Sequence, residues 1–218
     1  MFMPSRKERC QNWKLYAITD PAGLENRSLV EVVRAAIEGG ADVIQLRDKT
    51  ATDEQMIGQA RQLLEMTRPA GIPLIINDRP EVAQKAGADG VHLGQEDLDL
   101  ESARRLLGEG ALIGRSTHSR EQALRAQAEG FDYIGVGPVF QTPTKPSYEP
   151  VGLDLVRFVS QNIRVPFVAI GGIDEANVGR GSGAGARTVA VVRALMRAED
   201  PKEAARNILK KMERGDEK

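Results

Sequence analysis

A short pattern recurs four times along the 218-residue chain and restricts its fold more than any other feature. In each copy a glycine ends a helical stretch and an apolar run follows, as expected for a helix cap that leads into a buried parallel strand. The third residues of the copies lie 47, 43 and 55 positions apart, and a βα unit takes about 25 to 30 residues, so each step holds two units. The copies are Gly40-Ala41-Asp42, Gly87-Ala88-Asp89, Gly130-Phe131-Asp132 and Gly185-Ala186-Arg187.

Four further apolar runs lie between these copies, where the two-unit spacing requires them. They are Leu15 to Thr19, Pro73 to Asn77, Ala111 to Arg115 and Pro166 to Ile170. With amphipathic helices between the runs, eight alternating units predict a single-domain (β/α)8 TIM barrel over residues 14–218. A doubly wound sheet is the alternative, but it would not need such even spacing, and no GxGxxG follows the first strand. We expect the polar residues 1–13 to form a flexible extension.

Charge and cysteine content exclude several classes of protein. The chain has 30 Lys and Arg against 31 Asp and Glu, so its net charge of -1 creates no overall field that favours nucleic acid or an anionic membrane. It has one cysteine, Cys10, and no apolar run of the length that a membrane span or signal peptide needs. We therefore expect a cytoplasmic protein that binds small molecules, and the sequence allows a homo-oligomer.

The end of the second predicted strand carries cationic and amide side chains. Gln45 and Arg47 are two residues apart and so point to one face of the strand, and Lys49 joins them if the chain stays extended. Guanidinium and ammonium groups donate hydrogen bonds and accept none, which suits phosphate better than a neutral ligand. A solvated strand end with unrelated charges is the alternative, and these residues alone do not decide between the two.

Two carboxylates follow the next two strands. Asp78 comes directly after the third strand and Asp97 follows the fourth. In a barrel both strand ends open on one mouth, where neighbouring carboxylates repel each other unless a cation lies between them. Because phosphate-binding residues are near, the predicted cation is Mg²⁺. The alternative is that both side chains cap helices, since a helix start follows each of them.

The remaining strand ends offer further groups for binding an anion. Ser116 follows the fifth strand, and the loop after the sixth strand places the ammonium of Lys145 beside two hydroxyl groups in Thr142-Pro143-Thr144-Lys145. Gly171 and Gly172 would let a phosphate approach backbone N–H groups after the seventh strand. Val192 and Arg193 follow the eighth strand, where barrels commonly bind phosphate. We therefore predict one diphosphate site with magnesium and one monophosphate site, for two phosphorylated substrates.

Taken together, these motifs resemble those of the thiamine-phosphate synthase family over nearly the whole chain. The motifs that carry the resemblance are Gln45 to Lys49, Asn77-Asp78, His92 to Asp97 and Thr142 to Lys145. The resemblance implies a barrel transferase that joins hydroxymethylpyrimidine diphosphate to hydroxyethylthiazole phosphate, or to its carboxylated form, and releases diphosphate.

The resemblance also implies roles for individual residues. Asp78 and Asp97 would bind magnesium, while Arg47, Lys49 and Lys145 would stabilise the departing diphosphate as a pyrimidine cation forms. The expected contacts of the pyrimidine diphosphate are Gln45, Leu46, Arg47, Asp48, Lys49, Asn77, Ser116 and Lys145. The expected contacts of the thiazole phosphate are Thr142, Pro143, Thr144, Gly172, Val192 and Arg193.

The chain departs from the family pattern around its eighth strand. Arg193 stands where the family usually has serine, and Arg187 stands where it usually has aspartate. Arg193 either grips the thiazole phosphate, or fills space and alters the acceptor, or points away from the mouth, and the sequence leaves these alternatives open.

Two other functions compete with the synthase. A thiazole tautomerase-like enzyme would isomerise the thiazole phosphate and would need no diphosphate site. A non-catalytic barrel that binds a phosphorylated ligand would tolerate loss of the acidic pair. The joint presence of Lys49, Asp78, Asp97 and Lys145 favours the synthase.

Overall fold

The computed structural model describes residues 6–142 and 149–215. Its β-strands are β1 (Leu15–Ile18), β2 (Val43–Leu46), β3 (Leu74–Asn77), β4 (Gly90–Leu93), β5 (Leu112–Thr117), β6 (Tyr133–Val136), β7 (Phe167–Ile170) and β8 (Val189–Val191). Its helices are α1 (Arg6–Gln11), α2 (Leu29–Glu38), α3 (Asp53–Thr67), α4 (Pro80–Ala86), α5 (Leu100–Leu107), α6 (Arg120–Glu129), α7 (Gly152–Asn162), α8 (Val178–Ser182), α9 (Arg193–Met196) and α10 (Pro201–Gly215). A 3-10 helix, Pro21–Gly23, follows β1.

The eight strands form a closed barrel in sequence order. Every neighbouring pair is parallel, and β1 closes the barrel against β8 with Leu15 opposite Val189. The predicted (β/α)8 barrel is therefore confirmed, and the doubly wound alternative is wrong. All strands end at the same rim, so the residues that follow them share one mouth.

Side-chain caps mark the starts of several helices. Ser28 and Thr52 form capping boxes at the starts of α2 and α3, and the Asp99 and Ser119 side chains accept backbone N–H groups at the starts of α5 and α6. The Asp174 carboxylate does not cap α8, which begins at Val178, but accepts backbone N–H groups within the preceding turn. None of the described helices combines the length and the apolar character needed to cross a membrane.

Strand alternation divides the buried side chains into two layers. One face of each strand packs against the surrounding helices in a continuous apolar core. The other face fills the barrel interior, where Trp13, Tyr16 and Tyr133 form an aromatic group with ring centroids 5.2 to 6.0 Å apart. The interior is thus packed below the mouth, and a ligand has room only at the carboxyl ends of the strands.

The N-terminal segment contains a short helix that contacts the barrel. Residues 6–11 form α1, and Cys10 and Trp13 are only 1% and 6% exposed where they meet the barrel interior. The buried carboxylate of Asp132 holds the segment, since it accepts from Arg6 Nε at 3.0 Å and from Arg104 Nη2 at 2.8 Å. Arg6 therefore anchors α1 to a residue more than a hundred positions away in sequence, a contact for which the local sequence gives no signal. The flexibility of the extension stays a prediction.

Candidate active site

A cavity of about 440 Å³ opens at the carboxyl ends of the strands, and a smaller one of about 160 Å³ lies beside it. The predicted site residues that line the larger cavity are Gln45, Arg47, Asn77, Ser116, Thr142, Gly172, Val192 and Arg193. Asp48, Lys49, Asn77 and Asp78 line the smaller one, together with Arg79. Asn77 borders both cavities and so marks where they meet.

Strand alternation places Gln45 and Arg47 on the cavity side of β2, as predicted. The hydroxyl of Thr19 fixes the backbone of Arg47, since it accepts from Arg47 N at 2.8 Å and donates to Arg47 O at 3.0 Å. Leu46 points the other way and is fully buried in the core against the helices. Consecutive residues of a strand face opposite sides, so the Leu46 side chain lies away from the cavity. The predicted contact between Leu46 and the pyrimidine diphosphate could therefore involve only its backbone.

Asp48 and Lys49 differ in what their side chains can do. Asp48 Oδ1 accepts from Thr50 N at 2.9 Å, Thr50 Oγ1 at 2.8 Å and Ala51 N at 3.0 Å. Burial alone would raise the pKa of Asp48, but these hydrogen bonds together lower it. Asp48 therefore shapes the turn after β2, and Lys49, whose side chain is 59% exposed, keeps its ammonium available beside the smaller cavity.

Asp78 and Asp97 lie close to each other, as predicted. Burial raises the pKa of Asp78, the Asp97 carboxylate raises it further, and the Lys49 ammonium, 3.8 Å from Asp78 Oδ2, partly opposes both. Neither residue caps a helix, since the caps of α4 and α5 are Arg79 and Asp99. The alternative role is therefore wrong for both.

The backbone at Asp78 adopts a conformation that few residues other than glycine accept. Its φ is 62°, and its N–H donates to His92 O at 2.9 Å, which ties the end of β3 to β4. Strained conformations of this kind cluster at functional sites, where the surrounding structure enforces them. On the neighbouring loop, Asp97 Oδ2 accepts from Gly94 N at 2.5 Å, so both carboxylates are held in place.

The acidic pair is the feature of the mouth that suits a metal ion. Within residues 6–142 and 149–215, no three or more His, Cys, Asp and Glu side chains are grouped closely enough to hold one. Two carboxylates without a third protein ligand match Mg²⁺, which commonly binds one or two carboxylates and completes its shell with water and substrate phosphate oxygens.

A chain of hydrogen bonds crosses the barrel interior beneath the larger cavity. Gln45 Nε2 donates to the Tyr16 hydroxyl at 2.8 Å, and the Tyr16 and Tyr133 hydroxyls are 2.9 Å apart. His92 continues the chain, with Nδ1 3.2 Å from the Tyr133 hydroxyl and Nε2 3.0 Å from Ser116 Oγ. Burial raises the pKa of both tyrosines, so both stay neutral. The chain therefore orients Gln45 and Ser116, two predicted ligand contacts on opposite walls.

The ends of β7 and β6 are joined closely through two glycines. Gly171 and Gly172 have φ of 100° and 65°, and a Cβ on Gly172 would lie 2.4 Å from Gln141 O. Phe140 N donates to Gly171 O at 3.0 Å, and Asn177 Nδ2 donates to Gly172 O at 2.7 Å. This close approach requires glycine and leaves the cavity wall without side chains at that point. Pro143, Thr144 and Lys145, also predicted here, lie outside the described residues.

Sequence relatives from one family match the chain over most of its length. A family model described as thiamine monophosphate synthase matches residues 15–195. The chain belongs to this family. A thiamine-phosphate synthase of Chloroflexus aurantiacus is 48% identical over 198 residues, which are 90% of this chain and 91% of that protein. The resemblance predicted from the sequence motifs is confirmed.

Two further relatives extend the comparison with the thiamine monophosphate synthase family. A thiamine-phosphate synthase of Thermosynechococcus vestitus is 44% identical over 214 residues, and the match covers 98% of this chain but 60% of that longer protein. The solved structure of a thiamine phosphate pyrophosphorylase from Pyrococcus furiosus has a TM-score of 0.86 and 38% identity, and covers 95% of this chain and 98% of that one. The barrel is therefore the fold of this family.

Several residues of the mouth were not predicted from the sequence. Tyr16, Tyr133 and Arg197 lack a local motif, since the two tyrosines meet across 117 positions and Arg197 follows a four-residue helix. His92 lies within a quoted motif but was not among the predicted ligand contacts. Strand alternation offers the one available signal, because Tyr16 lies two positions before the end of β1 and Tyr133 begins β6.

Proposed function

We propose that this member of the thiamine-phosphate synthase family joins hydroxymethylpyrimidine diphosphate to hydroxyethylthiazole phosphate, or to its carboxylated form, and releases diphosphate. The observation that carries the proposal is the pair of adjoining cavities that share Asn77. The smaller cavity is bordered by Lys49 and by two acidic residues, Asp48 and Asp78, and the larger cavity has a glycine-lined wall. Two adjoining cavities suit two substrates bound side by side, one of which loses its diphosphate in the reaction.

Asp78 and Asp97 are the residues that we propose to hold Mg²⁺. The raised pKa of Asp78 supports this proposal, because burial and the nearby Asp97 carboxylate destabilise its charged form, and a divalent cation would relieve that cost. When bound, the ion would neutralise charge on the diphosphate as it leaves.

The residues Arg47, Lys49 and Lys145 are proposed to stabilise the leaving group. In the reaction, the bond between the pyrimidine methylene carbon and the diphosphate oxygen breaks and both electrons stay on the oxygen. The thiazole nitrogen then donates its lone pair to the methylene carbon and forms the new C–N bond. Fixed cations beside the departing oxygen lower the barrier most, and the Thr19 hydroxyl keeps the Arg47 backbone in place for this.

We propose that the other residues lining the mouth orient the two substrates. Gln45, Asn77 and Ser116 would contact the pyrimidine, and the internal hydrogen-bond chain supports two of these side chains. The thiazole phosphate would lie against the opposite wall, whose proposed contacts are Thr142, Pro143, Thr144, Gly172, Val192 and Arg193. Holding the ring nitrogen opposite the cationic carbon removes much of the entropy cost of the encounter.

The proposed partners are therefore two phosphorylated small molecules. We assign neither nucleic acid nor a membrane as a partner, in line with the net charge of -1. We place the enzyme in the cytoplasm, because the described cysteine, Cys10, is buried and free. A homo-oligomer stays a prediction.

The decisive experiment mixes the purified chain with both phosphorylated substrates and Mg²⁺ and measures thiamine phosphate and diphosphate. We expect both products in equal amounts, and none when either substrate is omitted. Absence of product under all conditions would contradict the proposal. A tautomerase-like enzyme would instead isomerise the carboxylated thiazole phosphate alone, which NMR would detect, and a non-catalytic barrel would bind without turnover.

A further inference from the structure

Two arginines on one short segment border the larger cavity beside β8. Arg193 begins α9 and Arg197 follows its last residue, so the two side chains are four positions apart. Both line the cavity, and both are exposed. Within the described part of the chain, neither guanidinium makes a hydrogen bond or an ion pair. Two charged groups without a protein acceptor are therefore available to an anion in the cavity.

Asp174 also lines the larger cavity, so its carboxylate could compete with a bound anion for these arginines. Its Oδ1 accepts from Ala176 N at 2.9 Å and from Asn177 N at 3.1 Å, so the turn before α8 already uses it. The described acidic pair, Asp78 and Asp97, belongs to the other side of the mouth. The β8 side of the cavity therefore presents net positive charge.

A third arginine fixes the segment that carries this pair. Arg27 Nη2 donates to Met196 O at 2.6 Å and to Gly23 O at 3.3 Å, while Nη1 donates to Ala198 O and Nε to Leu24 O. One guanidinium thus ties the end of α9 to the loop after β1. The Arg197 stem packs there too, because a Cβ on Gly23 would lie 3.3 Å from Arg197 Cγ.

We infer that Arg197 acts with Arg193 to bind the phosphate of the thiazole substrate, and that Arg27 positions both. This inference rests on the proposed function and extends it to two residues that the sequence did not point to. A phosphate between two guanidinium groups and the Gly172 backbone would receive charge-assisted hydrogen bonds from several directions. The pair would therefore determine how strongly the enzyme prefers a phosphorylated thiazole over the free alcohol.

The test measures KM for each substrate separately in the wild type and in Arg193→Gln, Arg197→Gln and Arg27→Lys. Glutamine keeps much of the stem and removes the charge. We expect KM for the thiazole phosphate to rise about fivefold to tenfold in Arg193→Gln and in Arg197→Gln, with KM for the pyrimidine diphosphate unchanged. Arg27→Lys should raise the same KM by about threefold while kcat at saturation is kept.

Arg187→Gln is the matched control, since Arg187 is exposed just before β8, at the opposite end of the strand from the mouth. It should leave both KM values unchanged. With an active wild type, an unchanged KM for the thiazole phosphate in Arg197→Gln would overturn the inference, as would an equal rise in both KM values. A wild type that makes no thiamine phosphate would instead refute the proposed function.

Discussion

The two sides of the mouth are built in different ways. On the β2–β4 side, charged and amide side chains stand at strand ends, and a side chain from the adjacent strand can hold their backbone, as the Thr19 hydroxyl holds Arg47. On the β7–β8 side, the wall consists of glycine backbone and of one arginine at each end of the short helix α9, a segment that Arg27 stabilises. The β2–β4 side, which we propose to neutralise the leaving group, thus presents mainly side chains to a ligand. The β7–β8 side, which we propose to hold the thiazole phosphate, presents backbone groups and a pair of cations.

The largest effect should come from Arg47, on the β2–β4 side. Arg47→Ala removes a cation that is proposed to stabilise the leaving diphosphate, so kcat should fall by roughly 10²- to 10³-fold, as for a single oxyanion-stabilising donor. Steady-state kinetics with each substrate varied would check this, and KM for the thiazole phosphate should not change. Arg125→Ala, an exposed position on α6, is the control. A loss confined to KM for the thiazole phosphate would reverse the assignment of the two sides.

A substitution of Asp78 should change activity and stability in opposite directions. Asp78→Asn should lower turnover about 100-fold, because it removes a proposed metal ligand. In the presence of a chelator the same variant should be modestly more stable than the wild type, because the repulsion from Asp97 and a partly buried charge, both weakened by solvent screening, are gone. A gain of about 1 kcal/mol would raise Tm by roughly 2 to 4 °C.

Added Mg²⁺ provides the control for the Asp78 experiment. It should raise the Tm of the wild type and leave that of Asp78→Asn nearly unchanged, since a ligand stabilises only the form that binds it. Full activity of the variant after chelation would contradict the magnesium proposal.

On the β7–β8 side, the comparable change is to the backbone at Gly172. In Gly172→Ala the added methyl group would meet Gln141 O at 2.4 Å, and the φ of 65° is costly for alanine. The loop must shift, so KM for the thiazole phosphate should rise by about tenfold while KM for the pyrimidine diphosphate stays the same. Gly110→Ala, where a Cβ would meet nothing within 4 Å, is the control. Equal changes in both KM values would show that the two sides are not independent.

The features that could be predicted from the sequence are those that depend on neighbouring residues. The glycine-capped repeat predicts the barrel, and strand alternation predicts that Gln45 and Arg47 share a face, because both depend on neighbouring residues. The pairing of Arg6 with Asp132 and of Tyr16 with Tyr133 depends on residues more than a hundred positions apart. Local patterns carry no signal for such contacts, so α1 and the internal hydrogen-bond chain could not be predicted.

Arg193 and Arg197 show a second reason for incomplete prediction. The structure settles one alternative for Arg193, since it lines the cavity and does not point away from the mouth. Arg197 gave no signal because α9 has only four residues, too few for a periodic pattern. On the β7–β8 side, the course of the backbone decides which side chains reach the cavity. Residue type alone does not predict that course.

The smallest expected effect concerns Tyr133, which lies in the interior between the two sides. Tyr133→Phe removes the hydroxyl that joins Tyr16 to His92, while Tyr16 keeps Gln45 and His92 keeps Ser116. The free energy of unfolding should fall by about 1 to 2 kcal/mol, because the buried Tyr16 hydroxyl and the partly buried His92 imidazole each lose one partner. Denaturant titration would measure this loss.

The kinetic effect of Tyr133→Phe then decides which side the internal chain supports. Gln45 and Ser116 are both proposed pyrimidine contacts, so a looser chain should raise KM for the pyrimidine diphosphate by about threefold and leave KM for the thiazole phosphate unchanged. Tyr16→Phe, which removes the direct partner of Gln45, should have the larger effect of the two. If both KM values rose together, the internal hydrogen bonds would stabilise both sides of the mouth and not the pyrimidine side alone.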